Sequence, residues 1–198
     1  MLYRVIMSHW KPTPANPANA PSARFFPHIG INPGMRVLDV GCANGDLTRA
    51  MASLVGRGGE VVGIDSSEEA LVSARAIQPD PLSASIRYQR ADLSRDLPEL
   101  GLFDAIVGRR VLMYLPDAAE TLARLARLAN PGAIMAFQEH ARADLPAGLS
   151  DLPVHRRWYG LVWDTITAEG GDVTLGYRLA DLVHSVGTVI EHARSEGV

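Results

Sequence analysis

The stretch Met35-Arg36-Val37-Leu38-Asp39-Val40-Gly41-Cys42-Ala43-Asn44-Gly45-Asp46 decides the fold. Its first six residues form a short apolar, β-rich run that reads as a buried parallel strand. The run breaks at Gly41, and Leu47 to Val55 then reads as a helix. Glycine at 41 and 45 lets the turn bring its backbone close to a ligand, because no side chain intervenes and a left-handed φ is cheap there. Asp39, at the strand end, places a carboxylate at the mouth of the turn.

Outward from this unit the pattern repeats. Glu60 to Asp65 is a second strand, and Ser66-x-x-Glu69 is a capping-box pattern that opens a helix through about Ile77. Strands follow at Ser85 to Gln89, Phe103 to Gly108 and Ala133 to Glu139. Between the last two, Asp117-x-x-Glu120 caps a helix with Leu122, Leu125 and Leu128 on one side and Arg124 and Arg127 outward. The alternation predicts an α/β fold, an open, doubly wound, mostly parallel sheet with helices on both faces and its ligand at the carboxyl ends of the strands. Beyond Glu139 the pattern changes to an added helix at Asp151 to Glu169, a further helix at Gly176 to Ser185 and a sixth strand at Thr188 to Arg194.

Length and composition fit this reading. With 198 residues against roughly 150 per domain, the chain makes one domain and a small extra lobe. Residues 1–33, with proline at 12, 14, 17, 21, 27 and 33, form an N-terminal arm that Phe25, Phe26 and Ile29 pack onto the body, with Trp10 available to pack or to cover a ligand. Residues 34–198 form the main domain, with a helical insertion at about 145–171. A net charge of -3 argues against nucleic acid or an anionic membrane as partner, and a single cysteine, Cys42, fits a reducing compartment with no cysteine-rich metal site. No apolar run approaches the ~20 residues of a membrane span, so a cytoplasmic protein is expected.

The chemistry lies at the strand ends. Asp65 closes the second strand 26 residues after Asp39, where an acid can accept hydrogen bonds from a ribose diol. Asp92 follows the third strand, so three strand-end aspartates face one crevice. A glycine pair alone is weak evidence; the ordered set of turn, Asp65 and Asp92 is far more specific. On these residues, from about Phe25 to Ser195, the sequence resembles a class I S-adenosylmethionine-dependent methyltransferase, with a Rossmann-like fold, of the small-molecule kind related to quinone-biosynthesis and natural-product enzymes. The family's first motif, acidic-x-Gly-x-Gly-x-Gly, stands here as Asp39-x-Gly41-x-Ala43-x-Gly45, with Ala43 as the departure. The resemblance implies that Asp39, Gly41, Cys42, Ala43 and Gly45 surround the methionine moiety of S-adenosylmethionine. It implies further that Asp65, next to Ser66, binds the ribose, and that Asp92, flanked by Ala91 and Leu93, binds the adenine. Gly108 and Arg109 then stand where the fourth strand opens toward the methyl group. It also implies a last antiparallel strand for which no residues remain, leaving a monomer or a homodimer that completes the edge.

Rival roles exist for each residue: a helix cap for Asp39, a turn for Asp65, an Asx turn before Ser94 for Asp92, an apolar filler for Cys42. His140, just past the fifth strand, is the candidate base for a hydroxyl acceptor. Tyr159 and Trp163, four apart on the added helix, are candidates for a flat substrate's pocket or, equally, for packing, with Trp158 pointing elsewhere. A nicotinamide dehydrogenase is disfavoured because Gly-x-Gly-x-x-Gly fails at Ala43 and Asp46, and Gly108-Arg109-Arg110-Val111 is not the tetrad of a nucleic-acid amino-methyltransferase. A small-molecule acceptor remains, with a non-catalytic cofactor-binding module as the alternative.

Overall fold

The computed structural model describes residues 20–95, 97–143 and 151–195. Trp10 and the start of the insertion lie outside them. Five strands, β1 (Arg36–Val40), β2 (Glu60–Asp65), β3 (Ser85–Arg90), β4 (Phe103–Arg109) and β5 (Ala129–Gln138), pair in the order β3-β2-β1-β4-β5. Every pairing is parallel. The order reverses at β1, where Val40 lies level with Ile64 of β2 on one side and Gly108 of β4 on the other.

Side chains alternate across the sheet, and each face builds its own core. Val37, Val61, Ala105 and Val107 pack under helix α2 (Asp46–Val55), through Leu47, Ala50 and Met51. Leu38, Val40, Val62, Ile64 and Ile106 pack on the opposite face with α4 (Ala118–Ala126), α5 (Pro153–Ala168) and α6 (Leu175–Ser185), through Leu122, Leu125, Trp163 and Leu175. Burial on both faces explains why these strands read as apolar runs without polar alternation.

Four details differ from the sequence reading. Helix α3 (Glu68–Arg75) is capped by Ser67, whose hydroxyl accepts from the Ala70 amide, and Ser66 is exposed. Asp65 takes the Ser67 amide at 2.9 Å, which delays the first helical turn by one residue. Arg124 does not point outward; it folds back to donate to the Leu93 carbonyl at 2.6 Å. Strand β5 starts at Ala129, because five steps from Ala129 to Ile134 face two steps from Phe103 to Ala105. The Pro131-Gly132 pair, which reads as a turn, sits inside this bulge with Gly132 at φ 80°. The expected sixth strand is absent: residues 188–195 carry no strand. Thr188 ties itself to the end of α6, its hydroxyl donating to Val183 O at 2.7 Å, and Val189 beyond it is 85% exposed. The sheet among the described residues is therefore five-stranded and wholly parallel, without an antiparallel member.

Within the arm, helix α1 (Ala20–Phe25) and a 3-10 turn at Phe26–His28 dock on the body. Ser22 donates to Gln138 Oε1 at 2.6 Å, and Phe26 is 2% exposed among the residues beneath α2. No helix among the described residues is long and apolar enough to cross a membrane. Replacing Phe26→Ala is expected to destabilise the fold by about 3–5 kcal/mol in urea denaturation; a change under about 1 kcal/mol would show that the arm contributes nothing to the core.

Candidate active site

The chain leaves β1 through Gly41 at φ 64° and re-enters helix at Gly45, the N-cap of α2, at φ 77°. A Cβ at Gly41 would meet Val111 Cγ2 at 2.4 Å, and one at Gly45 would meet the Tyr88 hydroxyl at 2.2 Å. Both glycines thus make room for the protein's own side chains. Ala43, where the resembled motif has glycine, also adopts a left-handed φ of 46°, a conformation that costs an L-residue about 1–2 kcal/mol.

What holds Ala43 there is Asp65. Its Oδ2 accepts from the Ala43 amide and its Oδ1 from the Ser67 amide, both at 2.9 Å. A carboxylate offers about four acceptor positions, so Asp65 bridges the two loops and retains lone pairs for a ligand hydroxyl. Asp92 is engaged differently: its Oδ1 accepts from the Ser94 amide at 2.9 Å and hydroxyl at 2.6 Å. These bonds hold its carboxyl below the usual range, and they are those of the Asx-turn alternative. Ala91 donates to Asp65 O at 3.0 Å, joining the ends of β2 and β3, while the Leu93 side chain is buried in the core.

Asp39 does not open onto the crevice. It is 1% exposed and accepts from the Thr48 hydroxyl at 2.6 Å. Burial pushes its pKa up to about 7, against the opposing Thr48 hydrogen bond and the Arg109 charge. Cys42 is buried too; its amide donates to Ile64 O at 3.0 Å, and burial raises its thiol well above the ordinary range, which leaves it no nucleophilic role.

A cavity of about 510 Å³ lies between Ala43 and Asn44 of the loop, Ser67 and Ala70 at the start of α3, and Arg109 and Arg110 at the end of β4. That volume lies within the roughly 300–1,000 Å³ of small-molecule sites. Ala43 and Ser67, its walls, are the two residues Asp65 joins. Arg109 is half-buried, and burial and then the neighbouring Arg110 depress its pKa. Gly108 is packed over by the Phe137 ring and Val111.

At the end of β5, Glu139 has a role the sequence does not reveal. Its Oε1 accepts from the Val111 and Leu112 amides, each at 2.9 Å, and so anchors the 3-10 turn Leu112–Tyr114 that follows β4. Burial raises the pKa of this carboxyl. No periodicity marks such a contact; only the pairing of β4 with β5 creates it. The His140 ring meets Trp163 edge-on at 6.4 Å, and Trp163 meets Tyr159 at 6.0 Å. Burial, then Arg110 and Arg109, push the His140 pKa below the ordinary value, so the imidazole is neutral at neutral pH. Trp163 is 8% exposed and Tyr159 spends its hydroxyl on the Ala143 backbone, whereas Trp158 is 63% exposed. The pair therefore buttresses His140 and residue 143, and its packing role is the visible one.

A loop with bent backbone, an acid joining it to the next strand and a small-molecule cavity suit an adenosyl cofactor with a ribose diol. The family profile described as a methyltransferase domain matches residues 31–187. The chain therefore belongs to the S-adenosylmethionine-dependent methyltransferases. It is 38% identical over 114 residues to a ubiquinone biosynthesis O-methyltransferase of Hahella chejuensis, covering 57% of this chain and 46% of that protein. It is 32% identical over 136 residues to a trans-aconitate 2-methyltransferase of Methylobacterium radiotolerans, covering 69% and 47%. A crystal structure of an S-adenosylmethionine-dependent methyltransferase from Mesorhizobium loti superposes with a TM-score of 0.62 at 24% identity, covering 88% of this chain and 82% of that one. The chain spans about half the length of the curated relatives it matches.

The buried acid has a consequence for stability. Asp39 binds its proton more tightly folded than unfolded, so its contribution is fully present below about pH 4 and is lost as pH rises through about 7. Asp39→Asn keeps an acceptor for Thr48 and removes the titration. Between pH 5 and pH 8 the wild type should lose stability relative to this variant, on the order of a few kcal/mol, in paired urea titrations. Identical pH dependence in both proteins would show that Asp39 titrates normally.

Proposed function

We propose that this chain binds S-adenosylmethionine across the carboxyl ends of β1 to β4 and transfers a methyl group to a small organic acceptor. The observation that carries the reading is Asp65, joined to the amides of Ala43 and Ser67, two walls of one cavity. In this reading Gly41, Cys42, Ala43 and Gly45 line the methionine portion, with Asp39 bracing the loop from beneath. Asp65 and Ser66 receive the ribose, Ala91, Asp92 and Leu93 border the adenine, and Gly108 and Arg109 stand nearest the reacting methyl. The cofactor supplies a methyl on a sulfonium sulfur, open to direct in-line displacement. The protein's part is alignment and exclusion of water. His140, neutral and held against Trp163, takes the proton of a hydroxyl acceptor. Trp163 and Tyr159 act as positioning residues for that imidazole. The related proteins named for ubiquinone biosynthesis and trans-aconitate support a small-molecule acceptor.

Calorimetric titration with S-adenosylhomocysteine tests the cofactor half. Micromolar binding is expected, weakened at least about tenfold by Asp65→Ala through loss of charge-assisted hydrogen bonds, with NAD giving no heat. Binding of NAD in place of the homocysteine product would overturn the assignment. Binding without turnover across an acceptor screen would favour the non-catalytic module.

For the base, His140→Gln should lower kcat about 10²–10⁴-fold with catechol as probe while leaving S-adenosylhomocysteine affinity unchanged. Wild-type activity should fall only below the ordinary histidine pKa of about 6.5, because burial and the two arginines favour the neutral ring. An unchanged kcat in the variant would remove His140 from the mechanism.

A further inference from the structure

The end of β4 contains a residue that the turn itself does not call for. Arg110 adopts φ 55°, a left-handed conformation that glycine or asparagine takes more cheaply than arginine. Its amide donates to Gln138 O at 2.7 Å, which fixes the backbone whatever the side chain. The side chain is half-buried and lines the cavity. Among the described residues its guanidinium makes no hydrogen bond or ion pair, although its charge reaches Glu139, whose Oε2 is buried without a hydrogen-bond partner. Asp46 is bonded to Arg49 at 2.6 Å, Glu139 gives Oε1 to the Val111 and Leu112 amides, and Glu69 is exposed on α3. A guanidinium that lines a cavity with its donors unspent on protein acceptors is placed to meet an anion in charge-assisted hydrogen bonds. Backbone strain kept for such a side chain points the same way.

Position identifies which ligand. Arg110 borders the cavity on one side, and on the other its charge reaches Glu139 and His140 at the end of β5. Arg110 enters the cavity from the end of β4, whereas Ser67 and Ala70 line it from the β2 side. Resting on the methyltransferase reading above, we propose that Arg110 recognises a carboxylate, or an equivalent compact anion, on the methyl acceptor, so that the acceptors of this protein are organic acids. Arginine suits the task because its planar fork matches a carboxylate in two hydrogen bonds. The cofactor's own carboxylate has the same chemistry and is the competing source.

The test uses the full chain saturated with S-adenosylhomocysteine and two matched pairs of probes: 3,4-dihydroxybenzoate against catechol, and glutarate against dimethyl glutarate. Calorimetry should show at least one acid binding about tenfold or more tighter than its neutral counterpart. Arg110→Asn, which keeps the left-handed backbone cheap, should abolish that preference. Arg110→Lys, which keeps the charge, should retain part of it, and both variants should bind S-adenosylhomocysteine like the wild type. Equal binding of acids and neutral probes overturns the proposal while leaving the methyltransferase reading intact. Loss of S-adenosylhomocysteine affinity in Arg110→Asn, regained in Arg110→Lys, also overturns it, by assigning Arg110 to the cofactor's carboxylate. Failure of the wild type to bind S-adenosylhomocysteine removes the reading beneath it and the proposal with it.

Discussion

Strand β1 is paired in parallel on both edges, to β2 on one side and β4 on the other, and the site depends on that placement. The chain connections diverge from β1 to the two sides of the sheet, which leaves a crevice at its carboxyl end. Register then places the contributions of three strands at one level. Val40 stands opposite Ile64 and Gly108, so the residues just beyond them, Gly41, Asp65 and Arg109, emerge together. The hydrogen bonds of Asp65 to Ala43 and Ser67 finish the arrangement by tying the first loop to the second.

Most of this was legible from the chain because parallel strands buried on both faces leave an unmistakable apolar signature, and the glycine turn follows directly on one of them. The errors are local or long-range, and each has its cause. The capping box Ser66-x-x-Glu69 favours Ser66 as the cap, yet the Asp65 carboxylate takes the Ser67 amide and shifts the cap by one residue. Pro131-Gly132 signals a turn correctly, and the fold absorbs that turn as a bulge within β5. Thr188 to Arg194 has strand-like residues, yet a strand needs a partner, and the hydroxyl of Thr188 is spent on the end of α6 instead. Arg110 carries no sequence signal of a site residue, because its left-handed backbone exists only in three dimensions.

Two of the acids at the strand ends lie beneath the loops, as the helix-cap alternative for Asp39 anticipates. Asp39 is buried and Glu139 half-buried, and each holds a loop: Asp39 by accepting from the Thr48 hydroxyl at the start of α2, Glu139 by accepting from the amides that follow β4. They are internal braces beneath the two loops that border the cavity. Arg109 and Arg110 lie over them, which offsets part of the buried negative charge and at the same time keeps His140 deprotonated. Acid, arginine and imidazole are thus one electrostatic unit, and altering any member shifts the protonation of the others.

Tyr88 couples positions far apart in sequence. Its ring lies where a Cβ on Gly63 would fall at 2.9 Å, and its hydroxyl where a Cβ on Gly45 would fall at 2.2 Å. One tyrosine on β3 thus helps to hold both positions to glycine, alongside the left-handed φ of 77° at Gly45 and the Cys42 and Thr48 side chains that a Cβ on Gly63 would also meet, each at 3.0 Å. A smaller residue at 88 would relieve one constraint at each site and leave the others standing, so the effects of substitutions at 45, 63 and 88 are expected to be non-additive.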